Sequence, residues 1–439
     1  MDSATAGAVL IVGASQAGLQ LAVSLRQAGY AGPITLVGEE IHPPYQRPPL
    51  SKEYLTGETD LDSLAFRAPS FYADNDIDLV CGERVTDVAL PSASRSGTAQ
   101  TGTAQTGTAQ TGTAQTDAGR ELRFDRLALT VGAAPRRLIL PGSELAGICY
   151  LRDRDDAADL RSRLDSATRI VVVGGGFIGL EAAAAARAHG KHVTVVEAAD
   201  RLIPRVVAPV VSEFYRRAHR RRGIEVLLSA AVTGFVGAGG RVTGVQLADG
   251  AELAADLVMI GVGVVPRTEL AERLGLDCDG GIVVDSQART SDPRVVAAGD
   301  CTVQPNPLTG QGRVRLESVQ NAVAQATAAA ATLAGRPGEA RPVPWFWSYQ
   351  GDLKLQIAGL STGYDGFVVR GDPDAERFSV LYYRGGRLLA ADAVNAPADY
   401  MAVRRALAQD ATIRPEQAGD PGVALKSLIV GQAEAAQAA

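Results

Sequence analysis

AVLIVGASQAGLQLAVSLRQAG, residues 8–29, runs from an apolar strand through a glycine-rich turn into a helix. Ala8 to Val12 are apolar without alternation, as a parallel strand covered on both faces requires. Beyond the turn, Ala17, Leu21, Leu25 and Ala28 recur at helical spacing, and Gly29 is placed to end the helix. A second strand, 34–37, then delivers Glu39 where a ribose-binding acid belongs. GGGFIG, Gly174–Gly179, repeats this grammar: strand 170–173, a helix to His189 with Gly190 behind it, strand 193–196, then Glu197. Glycines serve here because the backbone must turn tightly and approach a pyrophosphate, whose charge the helix N-terminus stabilises. In the first copy Ser15 replaces the middle glycine, with a side chain that either crowds the phosphate or hydrogen-bonds to it. Two such units imply two nucleotides and an α/β fold with two Rossmann-like dinucleotide-binding domains.

At 439 residues with 46% hydrophobic content, the chain has room for two or three domains with sizeable cores. No uncharged apolar run reaches the ~18 residues of a membrane helix, and the apolar start is a strand rather than a signal peptide. These features lead to the expectation of a cytoplasmic protein without membrane insertion. A net charge of −6 argues against a nucleic-acid partner, and Arg216, Arg217, Arg220, Arg221 and Arg222 read as a solvated helix face. The four cysteines, Cys81, Cys149, Cys278 and Cys301, are scattered with no CxxC pair, and His42, His189, His192 and His219 form no metal-spaced set. Neither disulfide redox chemistry nor a bound metal is expected.

GTAQT repeats four times from Gly97 to Thr116. A period of five matches neither helix nor strand, so the segment reads as a flexible loop, with strands 84–90 and 121–129 pairing across it. After the second nucleotide unit come short strands at 225–228, 241–247 and 257–260. A sheet resumes at 282–284 and 295–298, followed by Gly299-Asp300 and an alanine-rich helix, 318–333. The last hundred residues change character, with alternating strands at 353–357, 367–370, 378–383 and 387–391 and a helix near 401–409, as in a separate α+β module.

Six stretches, YQRPPLSK (45–52), YLRDRDDA (150–157), GGGFIGLE (174–181), TSDPRVVAAGDC (290–301), RVRLESVQNA (313–322) and PWFWSYQ (344–350), occur in an order that resembles the FAD-dependent NADH:ferredoxin reductases of P450 and Rieske oxygenase systems. These are members of the pyridine nucleotide-disulfide oxidoreductase superfamily without redox cysteines. The resemblance implies an FAD-binding domain at 1–148 and 271–336, interrupted by the 96–117 insertion, an NAD-binding domain at 149–270 and a C-terminal α+β domain at 337–439. It implies FAD binding by Gly13, Ser15, Ala17, Gly18, Glu39, Arg47, Lys52, Val85, Arg136, Asp300, Val319 and Trp347. For NAD it implies Gly174, Gly176, Ile178, Gly179, Glu197 and Gly263. Glu39 would hold the adenosine ribose, Val85 would offer backbone groups to the adenine, and Asp300 would accept from a ribityl hydroxyl. Val319 would begin a helix whose dipole faces the flavin, with Trp347 packed near the flavin ring. The candidate catalytic pair is Lys52 with Asp155, the latter one methylene shorter than the family's usual glutamate, and their expected work is shaping the nicotinamide pocket. Val131, Tyr349 and Arg267 depart from the family's threonine, aspartate and asparagine.

Glu197 is placed to bond a ribose 2′-OH and repel a 2′-phosphate, which favours NADH, although Arg201 nearby is a potential phosphate partner. Without a thiol pair, electrons must leave the flavin directly. The resemblance implies a [2Fe–2S] ferredoxin as acceptor, feeding a P450 or Rieske-type oxygenase, with Arg313, Arg315 and Lys354 as docking candidates and a monomer or weak dimer as the assembly. A rubredoxin acceptor, or a regulatory flavoprotein akin to apoptosis-inducing factor, is the alternative reading. An NADH oxidase or a CoA-disulfide or peroxide reductase would need a redox cysteine that 38–64 lacks.

Overall fold

The computed structural model describes residues 7–90, 111–336, 338 and 342–431. The chain divides into two compact units, one of Met1–Tyr45, Ala65–Ala133 and Pro266–Arg341, the other of Gln46–Leu64, Ala134–Val265 and Pro342–Ala439.

In the first unit a five-stranded sheet runs in the order Val295–Ala297, Arg126–Leu129, Val9–Val12, Ile34–Gly38, Ile77–Cys81, with every pairing parallel. Strand order reverses at Val9–Val12, so its carboxyl end opens on the crevice where such sheets take ligands. The missing alternation in this strand has a direct cause. Val9 and Ile11 belong to one core and Leu10 and Val12 to another, so both faces are covered. Helices Gln16–Gln27 and Val319–Leu333 share the first of these cores through Ala17, Leu21 and Leu25 on one and Ala322, Ala326 and Ala329 on the other, small side chains that let the helices approach closely.

The last copy of GTAQT corrects the expected loop. Gly112–Thr116 is the central strand of a three-stranded antiparallel sheet, between Val85–Ala89 and Glu121–Phe124, so the flanking strands pair with it rather than with each other. Gly112, Ala114 and Thr116 are buried. A Cβ at Gly112 would come within 2.6 Å of the Phe124 ring, and Thr116 donates to Glu83 at 2.8 Å. A single copy thus carries the period-two alternation that the five-residue repeat conceals. Of the rest of the expected spacer, 96–110 lies outside the described residues. The strand expected over 121–129 divides at Asp125, whose carboxylate accepts from the Ala8 amide at 2.6 Å, and its two halves join different sheets.

The second unit holds a parallel sheet in the order Ile224–Leu227, His192–Val196, Arg169–Val173, Leu257–Ile260, Ile148–Tyr150. It also holds a five-stranded antiparallel sheet in the order Trp345–Gln350, Leu353–Gly359, Arg387–Val394, Arg377–Arg384, Gly366–Asp372. Helix Pro397–Ala408, which opens on Pro397 four residues earlier than expected, packs on the second sheet through Tyr400, Val403 and Ala406. Trp345–Gln350, read from sequence only as a motif, is a strand, in keeping with its aromatic composition.

Candidate active site

The two glycine turns share one construction. Gly13 and Gly174 adopt φ of +112° and +110°, and a Cβ on either would strike the neighbouring strand's backbone, at 2.2 Å from the Thr130 carbonyl or 2.4 Å from that of Gly261. Gly18 and Gly179 each pack on the first glycine's carbonyl, where a Cβ would lie 2.0 and 2.2 Å away. The middle position is different. Gly176 has an ordinary φ of −82° and open space around it, so the corresponding Ser15 adds a side chain without striking protein. Thr130, displaced by one from its family position, donates to the carbonyls of Val12 and Gly13 at 3.0 and 2.8 Å and anchors the first turn.

Around this turn the first unit gathers several of the expected FAD residues. Glu39 follows strand Ile34–Gly38, and its Oε1 pairs with Arg267 at 2.5 Å, with Oε2 outside that contact. Gly299, just before Asp300, lies so close to Ala17 that their Cβ atoms would be 3.2 Å apart, which brings Asp300 beside the fingerprint helix. Val319 is the first residue of its helix, whose N-cap Ser318 accepts from the Asn321 amide at 3.2 Å. Val85 opens its strand with its side chain in the core. The turn before it is laced to the end of Ile34–Gly38 by bonds from Gly82 N to Glu40 O and Glu83 N to Gly38 O.

The second unit holds the remainder. Arg47 donates to the Arg152 carbonyl at 2.8 Å, joining YQRPPLSK to YLRDRDDA. Lys52 corrects the expected pairing. Its Nζ lies 2.7 Å from Glu181 Oε2, with side chains only 11% and 3% exposed, and its other contacts are the Pro48 carbonyl and Ser51 Oγ. Asp155 is exposed in the first turn of helix Arg154–Ser166 and is not among the partners of Lys52. Glu181 sits inside the quoted stretch GGGFIGLE, and its signal was a lone carboxylate on an alanine-rich helix, Phe177–Ala188, whose other charge, Arg187, lies in the last turn. Phe177 and Glu181, four apart on the helix, match Phe346 and Ser348, two apart on strand Trp345–Gln350, in spacing along the contact. The phenylalanine rings meet at 4.7 Å and Ser348 Oγ donates to Glu181 Oε1 at 2.6 Å.

Strand alternation sends Trp345, Trp347 and Tyr349 to the other face. Trp347 is half-buried beside Trp345 at 5.7 Å, and Tyr349 carries Lys354 over its ring at 5.5 Å. Arg136 is exposed, with its amide donating to the carbonyl of Gly263, a glycine at φ +95° with open space around it. At the second glycine turn Glu197 accepts from the amides of Gly175 and Ala199 at 2.6 and 2.8 Å. Ile178 is exposed in the first turn of the helix. Arg201 is turned away into the carbonyls of Val207 and Pro204 and the Ser212 hydroxyl, at 2.7, 2.5 and 3.0 Å. Of the docking candidates, Arg313 pairs with Asp279 at 3.1 Å and Arg315 with Glu317 at 2.9 Å, so their charge is already matched. All four cysteines are free, and burial raises each thiol above its usual pKa, to about 12 for Cys149 and Cys301, the reverse of an activated thiolate. No group of metal-ligating side chains occurs among the described residues.

Residues 7–326 match the family model described as pyridine nucleotide-disulphide oxidoreductase, and 345–429 match one described as reductase C-terminal. Rhodocoxin reductase of Rhodococcus erythropolis is 45% identical, over 96% of this chain and 94% of the relative. The solved ferredoxin reductase for the CYP199A2 system from Rhodopseudomonas palustris superposes with a TM-score of 0.88 at 42% identity, covering 96% of this chain and all of that one. The reductase in a covalent putidaredoxin reductase–putidaredoxin complex gives the same TM-score at 38% identity, covering 99% of both chains.

Proposed function

This chain belongs to the pyridine nucleotide-disulphide oxidoreductase family, and we propose that it is a flavoprotein reductase that oxidises NADH and passes single electrons to a small [2Fe–2S] ferredoxin serving a P450 or Rieske-type oxygenase. The observation that supports the reading is the pairing of two fully built dinucleotide turns with four free thiols, two buried and two half-buried, all with raised pKa values. A family member built this way has no dithiol route for its electrons. FAD, when bound, accepts a hydride and releases electrons singly. The first turn fits that group, since its outer glycines are locked by packing, its middle position is open and Glu39 retains a carboxylate oxygen for the ribose. The second turn, with Glu197 tied to the Gly175 amide, presents a carboxylate where a 2′-phosphate would sit, and the engaged Arg201 offers no compensating charge. Lys52, paired with Glu181, lines the pocket for the nicotinamide. Its contribution is alignment, which a hydride transfer chiefly requires.

In this reading the FAD-binding part comprises 1–148 and 271–336, the NAD-binding part 149–270 and the C-terminal part 337–439, in a cytoplasmic monomer or weak dimer. Each NADH yields NAD⁺ and a proton while two ferredoxins each gain one electron. Purified holoprotein mixed with NADH and a panel of [2Fe–2S] ferredoxins and rubredoxins tests this by visible bleaching of the acceptor. Two ferredoxins reduced per NADH is the expected result. Transfer to rubredoxin alone would reassign the acceptor, and transfer to neither would favour a regulatory flavoprotein.

A further inference from the structure

Glu181 is the end point of a buried chain of hydrogen bonds that extends beyond Lys52. Its Oε2 accepts from Lys52 Nζ at 2.7 Å and from Ser51 Oγ at 2.5 Å, and its Oε1 accepts from Ser348 Oγ at 2.6 Å. Ser348, having given its hydrogen to the carboxylate, accepts from Gln350 Nε2 at 3.3 Å. Gln350 Oε1 lies 2.7 Å from His219 Nε2, which must therefore be the nitrogen carrying hydrogen. Ser348, Gln350 and His219 are each fully buried and Glu181 is 4% exposed. Burial lowers the His219 pKa, which keeps the ring neutral, with a buried Nδ1 that has no partner. Every hydrogen along the chain points toward Glu181.

The elements explain why these residues meet. Ser348 and Gln350 are two apart on strand Trp345–Gln350 and so share its buried face, while Glu181 comes from helix Phe177–Ala188 and His219 from helix Pro209–Arg221. Each helix sets one polar group against that face. Without Ser348, Oε1 of Glu181 would be a buried oxygen with no donor, and the carboxylate would have to rotate to find one, which releases Lys52.

We propose that Ser348, Gln350 and His219 are positioning residues that hold the Glu181 carboxylate fixed, and through it hold the Lys52 side chain in place for hydride transfer. The proposal rests on the reading of Lys52 as lining the nicotinamide pocket. The test uses the FAD-loaded full chain and two readouts. The first is acylation of Lys52 by acetic anhydride, mapped by peptide mass and normalised to the other three lysines, Lys191, Lys354 and Lys426. The second is steady-state NADH oxidation with ferricyanide.

Ser348→Ala and Gln350→Met are expected to raise Lys52 acylation about ten-fold and lower kcat about ten-fold, with the KM for NADH within about two-fold. His219→Leu is expected to act in the same direction by about three-fold, and Ser348→Thr to restore both readouts. Should a variant fail to fold, Ser348→Thr against Ser348→Ala still separates hydroxyl from volume. Wild-type acylation in Ser348→Ala, or a fallen kcat without increased acylation, overturns the proposal. If Lys52→Met leaves kcat unchanged, the pocket reading fails instead, while acylation still reports on the chain. The acceptor assignment affects neither readout.

Discussion

Glu197 and Arg201 lie four residues apart and read from the sequence as opposing influences on the choice of nicotinamide. Arg201 looked from sequence like a partner for a 2′-phosphate, but its guanidinium is occupied by two backbone carbonyls and the Ser212 hydroxyl. Glu197 is held at the glycine turn. We therefore expect kcat/KM for NADH to exceed that for NADPH by about a hundred-fold, or roughly 2.7 kcal/mol, and Glu197→Ala to narrow the gap. Equal values for the wild type would refute the assignment. Lys52 shows what sequence withholds at this scale. The carboxylate chosen by position in a motif, Asp155, is exposed, while the one chosen by packing, Glu181, sits in a different quoted stretch. Spacing along a chain identifies residues on one element, and an ion pair between loop and helix depends on which faces meet. Glu181→Gln keeps the shape but removes the charge, and flavin reduction by NADH should slow about ten-fold in stopped-flow absorbance.

Individual elements were legible where a backbone need dictates residue type. The first and last glycines of each turn are demanded by positive φ or close packing, and the middle one is not. Accordingly Gly18→Ala should abolish FAD retention, measured as flavin absorbance per chain after gel filtration, whereas Ser15→Gly should leave it near wild type. Equal losses from both would show that the middle position is as constrained as the last. The GTAQT strand was illegible because all four copies have the same composition, so nothing in the sequence marks the last one, Gly112–Thr116, for its place between two partner strands. Ala114, wholly buried beside Phe124, provides the check. Ala114→Asp should cost about 3 kcal/mol of stability, while the same change at the half-buried Thr113 should cost under about 1 kcal/mol in denaturant unfolding.

At the scale of the molecule, burial of a charge makes stability depend on pH. Asp392 is fully buried on strand Arg387–Val394, where its Oδ2 accepts from Tyr382 and its Oδ1 has no partner. Burial raises its pKa from 3.8 to about 7, against the lowering effect of the Tyr382 hydrogen bond. Below pH 4 folded and unfolded chains both hold the proton, so no stability is lost. As pH climbs from there the unfolded chain ionises first, and the folded chain loses stability up to about pH 7, beyond which the loss is complete. Asp392→Asn should therefore raise the melting temperature at pH 8 and leave it nearly unchanged at pH 4, and an equal shift at both would exclude this cause. Two glycine turns with their acids were enough in the sequence alone to point to two nucleotide-binding units, and the scattered cysteines argued against a redox thiol pair. Those features are local, set by backbone geometry within a single βαβ unit or by composition. Which carboxylate Lys52 meets, where the last GTAQT goes, whether Arg201 is engaged and how Ser348 reaches His219 were decided by tertiary structure. Each depends on the faces that distant elements present to one another, and the residues between them carry no record of that contact.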